Sequence, residues 1–184
     1  MPKLEDRDLR AKLLSTAIEM LAEPQVVAVP SLRSIARACD VVPSAVYWHF
    51  PSEAVLRSAV LDAEYADMVD AVEKSIAAAD GPEALLIAAG RAYIEWGLSH
   101  PGAYQLLFES ADELPETRAE NGPRLQSRIV ELAAAVDPAM PFSAALMLWS
   151  VWHGITSLRI HKTDWDWGMT SDEANERLIR ALTS

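Results

Sequence analysis

Apolar residues recur along this chain at spacings of three and four, the period of amphipathic helices. Over residues 7–23 they are Leu9, Leu13, Ala17, Ile18 and Leu21, and Pro24 ends the segment ahead of a connector at 26–30. Ser31 is a candidate N-cap for a helix carrying Leu32, Ile35 and Ala36 on one face. Cys39-Asp40-Val41 breaks that pattern, and aspartate tolerates the left-handed backbone a tight turn needs. Pro43 suits the first position of a following helix, where its missing N–H costs nothing. Val42, Val46 and Phe50 are expected to point inward from that helix at four-residue spacing.

Ser52 can cap a long helix running to about residue 79, lined by Leu56, Val60, Leu61, Met68 and Val72. Asp62, Glu64, Asp67, Asp70 and Glu73 are expected to coat its other face, and Asp80-Gly81-Pro82 closes it. A small-residue-rich helix follows from Pro82 to about His100, then a short apolar helix around Tyr104–Phe108. An acidic, breaker-rich connection at 112–122 leads into a helix over 125–136. The most apolar helix runs from Phe142 to about Lys162, and Ala144, Leu148, Val151 and Ile155 fit its inward stripe, with Trp149, Trp152 and Leu158 near it. Its apolar surface is broader than one core face requires, so part of it is expected to meet a partner chain. Asp164–Gly168 reads as a loop with two exposed tryptophans. Thr170 and Glu173 then form a capping box opening a last helix, with Ala174, Leu178, Ile179 and Leu182 inward.

The fold class expected is therefore all-α. With 184 residues, 51% of them apolar, the chain has room for a small domain plus a larger one, or for one compact all-helical unit. No apolar run approaches the roughly 20 residues that span a bilayer, and the first ten residues lack a signal-peptide core. The single cysteine, Cys39, forms no internal disulfide and fits a reducing, cytoplasmic setting. The net charge of −11 argues against indiscriminate nucleic-acid binding. Its distribution refines that exclusion. Residues 1–55 hold six Lys/Arg and seven Asp/Glu, whereas the remainder holds ten and twenty. Such a chain suits a specific binder with few phosphate contacts.

The second helix of the 31–50 pair leaves Ser44, Ala45, Tyr47, Trp48 and His49 pointing away from its apolar face. Two small residues at the start and three aromatic donors near the end suit close approach to a surface. A major groove about 12 Å wide accepts such a helix, its N-terminus toward base edges and its flanks toward phosphates. The alternative is a packed helical hairpin with Tyr47 and Trp48 buried. Residues 9–56 resemble the N-terminal DNA-binding domain of TetR-type transcriptional repressors, through the segments SLRSIARACDV and AVYWHFPSEAVL and the Tyr-x-His-Phe ending. The resemblance implies a three-helix, helix-turn-helix domain over 1–51 and a helical effector-binding and dimerisation domain over 52–184. Its candidate DNA contacts are Ser31, Arg33, Pro43, Ser44, Ala45, Tyr47, Trp48 and His49. Two positions depart from the family pattern: the usual turn glycine is Asp40, and a usual phosphate-gripping lysine is Glu53. A carboxylate there repels the DNA backbone and shifts the phosphate clamp to Tyr47, His49 and the N–H groups opening the next helix.

The C-terminal half resembles the TetR subgroup marked by a Trp-His-Gly signature, matched by Trp152, His153 and Gly154. That resemblance implies a homodimer joined through the last two helices. Met68, Tyr93, Trp96, Leu107, Phe108, Trp149 and His153 are candidates to line a pocket for a small, hydrophobic effector. No Gly-rich phosphate loop, nucleophile elbow or Cys/His metal spacing is present in the sequence, and His153 and His161 are too far apart along a helix for one metal. Enzyme, cofactor and metal chemistry are not expected. The expected function is that of a repressor that binds a palindromic DNA operator as a homodimer and leaves it on binding effector. The rival is a helical interaction protein that keeps the fold without specific DNA binding, motivated by Glu53 and the net acidity.

Overall fold

A computed structural model describes residues 4–21, 29–108, 121–134 and 136–183. Among them the regular elements are α-helices: α1 (Leu4–Glu19), α2 (Leu32–Ala38), α3 (Pro43–His49), α4 (Glu53–Ile76), α5 (Pro82–Ser99), α6 (Pro101–Phe108), α7 (Asn121–Ala133), α8 (Pro141–His161) and α9 (Ser171–Thr183). The all-α expectation holds. Two expected connections, most of 26–30 and most of 112–122, lie outside the described residues. The chain divides into two compact units, one of Met1–Glu64 with His100–Ala119, the other of Tyr65–Ser99 with Glu120–Ser184.

In the first unit Leu13 and Ala17 of α1 and Leu21 just past it are buried, as are Leu32 and Ile35 of α2, Val46 and Phe50 around α3, and Leu56 and Val60 of α4. Polar groups reinforce this core. The Cys39 thiol donates to Thr16 Oγ1 at 3.2 Å, and Lys12 Nζ donates to the Cys39 carbonyl at 3.4 Å, just past the end of α2. The Arg10 guanidinium lies 5.0 Å from the centre of the Phe50 ring. Lys12 and Arg10 thus tie α1 to the helix-turn-helix. On α6, Ala103, Tyr104 and Leu106 are buried, and Tyr104 packs on Phe108 at 4.9 Å.

The second unit is built around α5, which packs against α7, α8 and α9. Leu86, Ala89, Tyr93 and Trp96 of α5 are buried, as are Met68, Val69 and Val72 from the second half of α4. Trp96 Nε1 donates to Asp67 Oδ2 at 2.7 Å, and Ser75 Oγ donates to the Ala88 carbonyl at 2.9 Å. Arg128 of α7 pairs with Glu73 at 3.1 Å and with Glu131 at 2.8 Å.

Four expectations are corrected. Val42 is 64% exposed, because it is the extended N-cap of α3 and the helical period does not reach it. Glu64 is only 4% exposed and does not join the acidic coat of α4. The inward stripe of α8 is Ala144, Ala145, Leu148, Trp152 and Thr156, with Val151 outside. The inward positions of α9 are Asn175 and Ile179, while Ala174, Leu178 and Leu182 are half-buried.

Candidate nucleic-acid interface and effector region

The α2–turn–α3 geometry follows from its local chemistry. Ser31 adopts an extended backbone (φ −64°, ψ 150°) and accepts the Ser34 N–H at 3.2 Å, satisfying one of the orphan donors of α2. Asp40 carries φ +57°, the left-handed value the turn requires. The Val41 N–H closes the turn onto the Ala36 carbonyl at 3.0 Å. Pro43 then opens α3 at its first position. Val46 and Phe50 anchor the inner side at zero exposure.

The outer side is open. Tyr47 is 45% and Trp48 66% exposed, Pro43 and Ser44 are exposed, and Ala45 and His49 are half-buried. The Trp48 and His49 rings meet edge to face at 4.8 Å. Arg33 is exposed on α2 beside the Ser31 cap. An exposed indole of this size on a short, well-anchored helix excludes the buried-hairpin alternative for Tyr47 and Trp48. Ser52 accepts the Val55 N–H at 3.3 Å and so opens α4, with Glu53 exposed in its first turn.

The seven effector candidates fall into two groups. Leu107 and Phe108 sit half-buried on α6 of the first unit. Met68, Tyr93, Trp96, Trp149 and His153 belong to the second. Within it, Trp149 Nε1 donates to the Tyr93 hydroxyl at 3.0 Å, and the Trp149 and His153 rings lie 6.4 Å apart. Tyr93 also packs on Trp152 at 6.2 Å. Trp149 is exposed at its outer edge, so this cluster reaches from the interior of α5 to the surface of α8. A separate surface recess of about 410 Å³ is lined by Ile94, Glu95, Leu98, Ser99, Ser171 and Asp172, none of them foreseen.

One polar junction escaped the sequence reading. Trp152 Nε1 donates to Asn175 Oδ1 at 2.9 Å, and Asn175 Nδ2 donates to the Ile87 carbonyl at 2.8 Å. Both side chains are buried, and a Cβ on Gly90 would collide with each of them. The junction thus locks α5, α8 and α9 together. A polar residue on an otherwise apolar helical stripe was the available signal at Asn175. The first residue of the Trp-His-Gly triplet is a core anchor, whereas Gly154 has nothing within 4 Å of an added Cβ.

A helix-turn-helix with an open outer face, followed by a helical unit built on one central helix, defines an all-α regulator architecture. The model of the "Tetracyclin repressor-like, C-terminal domain" family matches residues 86–182, and the chain belongs to the tetracycline-repressor-like family of transcriptional regulators. Solved structures agree on the fold. A protein of unknown function from Rhodococcus sp. RHA1 is 24% identical, with a TM-score of 0.81 over 95% of this chain and 93% of that one. A TetR/AcrR-family transcriptional regulator from Thermobifida fusca is 18% identical, with a TM-score of 0.68 over 96% and 97%. The ketosteroid transcriptional regulator of Mycobacterium tuberculosis is 14% identical, with a TM-score of 0.63 over 95% and 93%. No curated protein matches the chain. Among the described residues no helix is long and apolar enough to cross a membrane, and no cluster of three or more His, Cys, Asp or Glu could hold a metal.

Proposed function

We propose that the chain is a transcriptional repressor of the Trp-His-Gly subgroup that binds a palindromic operator as a homodimer and is released by a small, hydrophobic effector. The observation that carries this reading is α3, whose inner face is fully buried while Tyr47 and Trp48 stand open beside Ser44. A two-fold dimer carrying two such helices reads half-sites about 34–36 Å apart, or a multiple of that. Ser44 and Ala45, near the N-terminus of α3, approach base edges, while Tyr47, His49, Ser31 and Arg33 hold phosphates. Glu53 opposes the backbone at the start of α4, so affinity at physiological salt is modest.

Effector recognition is assigned to Tyr93, Trp149 and His153, with Met68 and Trp96 of the same unit supplying apolar walls. A planar, hydrophobic molecule suits aromatic faces with a few polar tips. A ligand that prefers a body conformation in which the two heads are wrongly spaced releases DNA. The helix α4, which contributes residues to both units, is the covalent route for that signal.

Selection of bound duplexes from a random DNA pool at near-physiological salt tests the reading. The expected result is enrichment of a palindrome, abolished by Tyr47→Ala or His49→Ala. Only weak, sequence-blind binding at low salt would overturn it in favour of a helical interaction protein, the reading that exposed Glu53 and the acidic body favour. Glu53→Lys sharpens the distinction, because a large affinity gain on one sequence marks a weakened but specific binder.

A further inference from the structure

Val42 sits where its own helix gains nothing from it. It is the N-cap of α3, with an extended backbone (φ −67°, ψ 142°) and no side-chain hydrogen bond to the first turn. Serine, threonine, aspartate or asparagine at such a position accepts an orphan N–H, whereas valine is among the poorest caps and leaves that donor open. Burial does not compensate, because Val42 is 64% exposed. A residue that breaks the local rule without an internal gain marks a contact made outside the chain.

The rest of the open face sorts into two rows. Ala45 follows Val42 by three residues, its N–H bonded to the Val42 carbonyl at 3.0 Å, and Trp48 follows Ala45 by three. Residues three apart form a ridge along a helix surface, and this ridge is apolar. Ser44 and Tyr47, also three apart, form a neighbouring row of hydroxyls. Trp48 is 66% exposed, and its ring is held edge to face against His49 at 4.8 Å, so the indole presents a fixed apolar surface.

No residue of α3 is Arg, Lys, Asn, Gln, Asp or Glu. Those side chains supply the bidentate or charged hydrogen bonds that single out guanine, adenine and cytosine in the major groove. Hydroxyls both donate and accept, and so discriminate little between bases. What an apolar ridge can read there is the C5 methyl of thymine. Members of the ridge stand about 4.5 Å apart along the helix axis, close to the base-pair rise of about 3.4 Å, so neighbours on the ridge reach neighbouring base pairs.

We propose that the Val42–Ala45–Trp48 ridge reads thymine through its methyl groups, so that apolar contact with A·T pairs, rather than hydrogen bonding, specifies the operator half-site. The proposal rests on the DNA-binding reading above. It adds to that reading the base that is recognised and a residue, Val42, that the sequence placed on the inner face.

Uracil keeps the hydrogen-bonding edge of thymine and lacks only the methyl. The test therefore remakes the palindrome obtained by selection with deoxyuridine in place of thymine, one symmetric pair of positions at a time. At one or more pairs the wild type is expected to bind the uracil duplex roughly tenfold more weakly, about threefold for each lost methyl contact. Val42→Ser or Trp48→Ala is expected to shrink that difference to below about twofold at the pair each side chain covers. Serine can cap α3, so Val42→Ser should unfold at the wild-type temperature or above it, which separates lost discrimination from a lost fold. A selected half-site without thymine would overturn the methyl reading and leave a specific DNA-binding regulator in place. So would uracil duplexes bound as tightly as thymine ones, or a thymine preference unchanged in both variants. Failure to select any palindrome would remove both readings.

Discussion

Gly90 and Gly154 sit on helices that touch, α5 and α8, and their surroundings are opposite. Gly90 is buried against the hydrogen-bonded pair of Trp152 and Asn175, with no room for even one more carbon. Gly154 faces open space. The first glycine is required by packing inside the protomer, and its hydrogen can be replaced only by moving an indole and an amide. The second is not required by anything inside the protomer. A residue with the lowest helix propensity short of proline, kept mid-helix where the chain itself asks for nothing small, points to an outside neighbour. The same contrast divides α8: one arc is closed by α5 and α7, and another is left apolar and uncovered.

Substitutions at these two positions break the comparison most directly. Gly90→Val forces Trp152 and Asn175 apart, strains the core and disturbs a buried hydrogen bond. Its expected cost is about 3 kcal/mol or more, read as a lowered midpoint in urea unfolding. Gly154→Ala should go the other way within the protomer, adding about 0.5–1 kcal/mol through helix propensity. The same variant should weaken self-association, so stability at high dilution rises while the dimer loosens. A Gly154→Ala chain that is less stable as a monomer would show that Gly154 is packed inside after all.

The smallest expected effect lies at the start of α9, where the Glu173 carboxylate accepts the Thr170 N–H at 2.7 Å and its hydroxyl at 3.0 Å. The backbone hydrogen bond from Thr170, then the one from its side chain, holds the Glu173 carboxyl below its ordinary value of 4.5. A lowered folded-state value means the stabilisation is complete above the unfolded-state value and is lost as pH falls through the folded-state one. Glu173→Gln can keep the cap but cannot titrate. Its unfolding midpoint should therefore show a slightly shallower fall than the wild type below pH 4.5, with little difference at neutral pH.

Much of this was legible in the sequence because local rules acted alone. The Ser31 cap, the left-handed Asp40, Pro43 at the start of α3 and the Thr170–Glu173 box each depend on neighbours within four residues. The open Tyr47 and Trp48 followed from what the apolar face of α3 left over. What was missed depends on partners distant in sequence. The inward stripe of α8 was placed on Val151 and Ile155 because aliphatic residues outweighed a tryptophan and a threonine, yet Trp152 and Thr156 hold those positions. Trp152 is inward because Asn175, 23 residues later, satisfies its N–H, and Thr156 because it donates to the Trp152 carbonyl at 2.8 Å. Asn175 stands out in the sequence only as a polar residue on the stripe of Leu178, Ile179 and Leu182, and its partners, Ile87 and Trp152, are distant along the chain. The triplet Trp152-His153-Gly154 read as one feature, and the structure separates it into a core anchor, a half-buried ring and an uncovered backbone.

Cys39 is the only sulfhydryl in the chain, and it is sealed beneath α1, its sulfur engaged with Thr16. To a bulky thiol reagent the folded protein is effectively blank. A cysteine placed at an exposed position such as Trp48 or Leu158 would therefore carry a dye or spin label by itself, with no native thiol removed first. The recognition helix and the uncovered arc of α8 can each be given a single reporter in an otherwise unaltered chain.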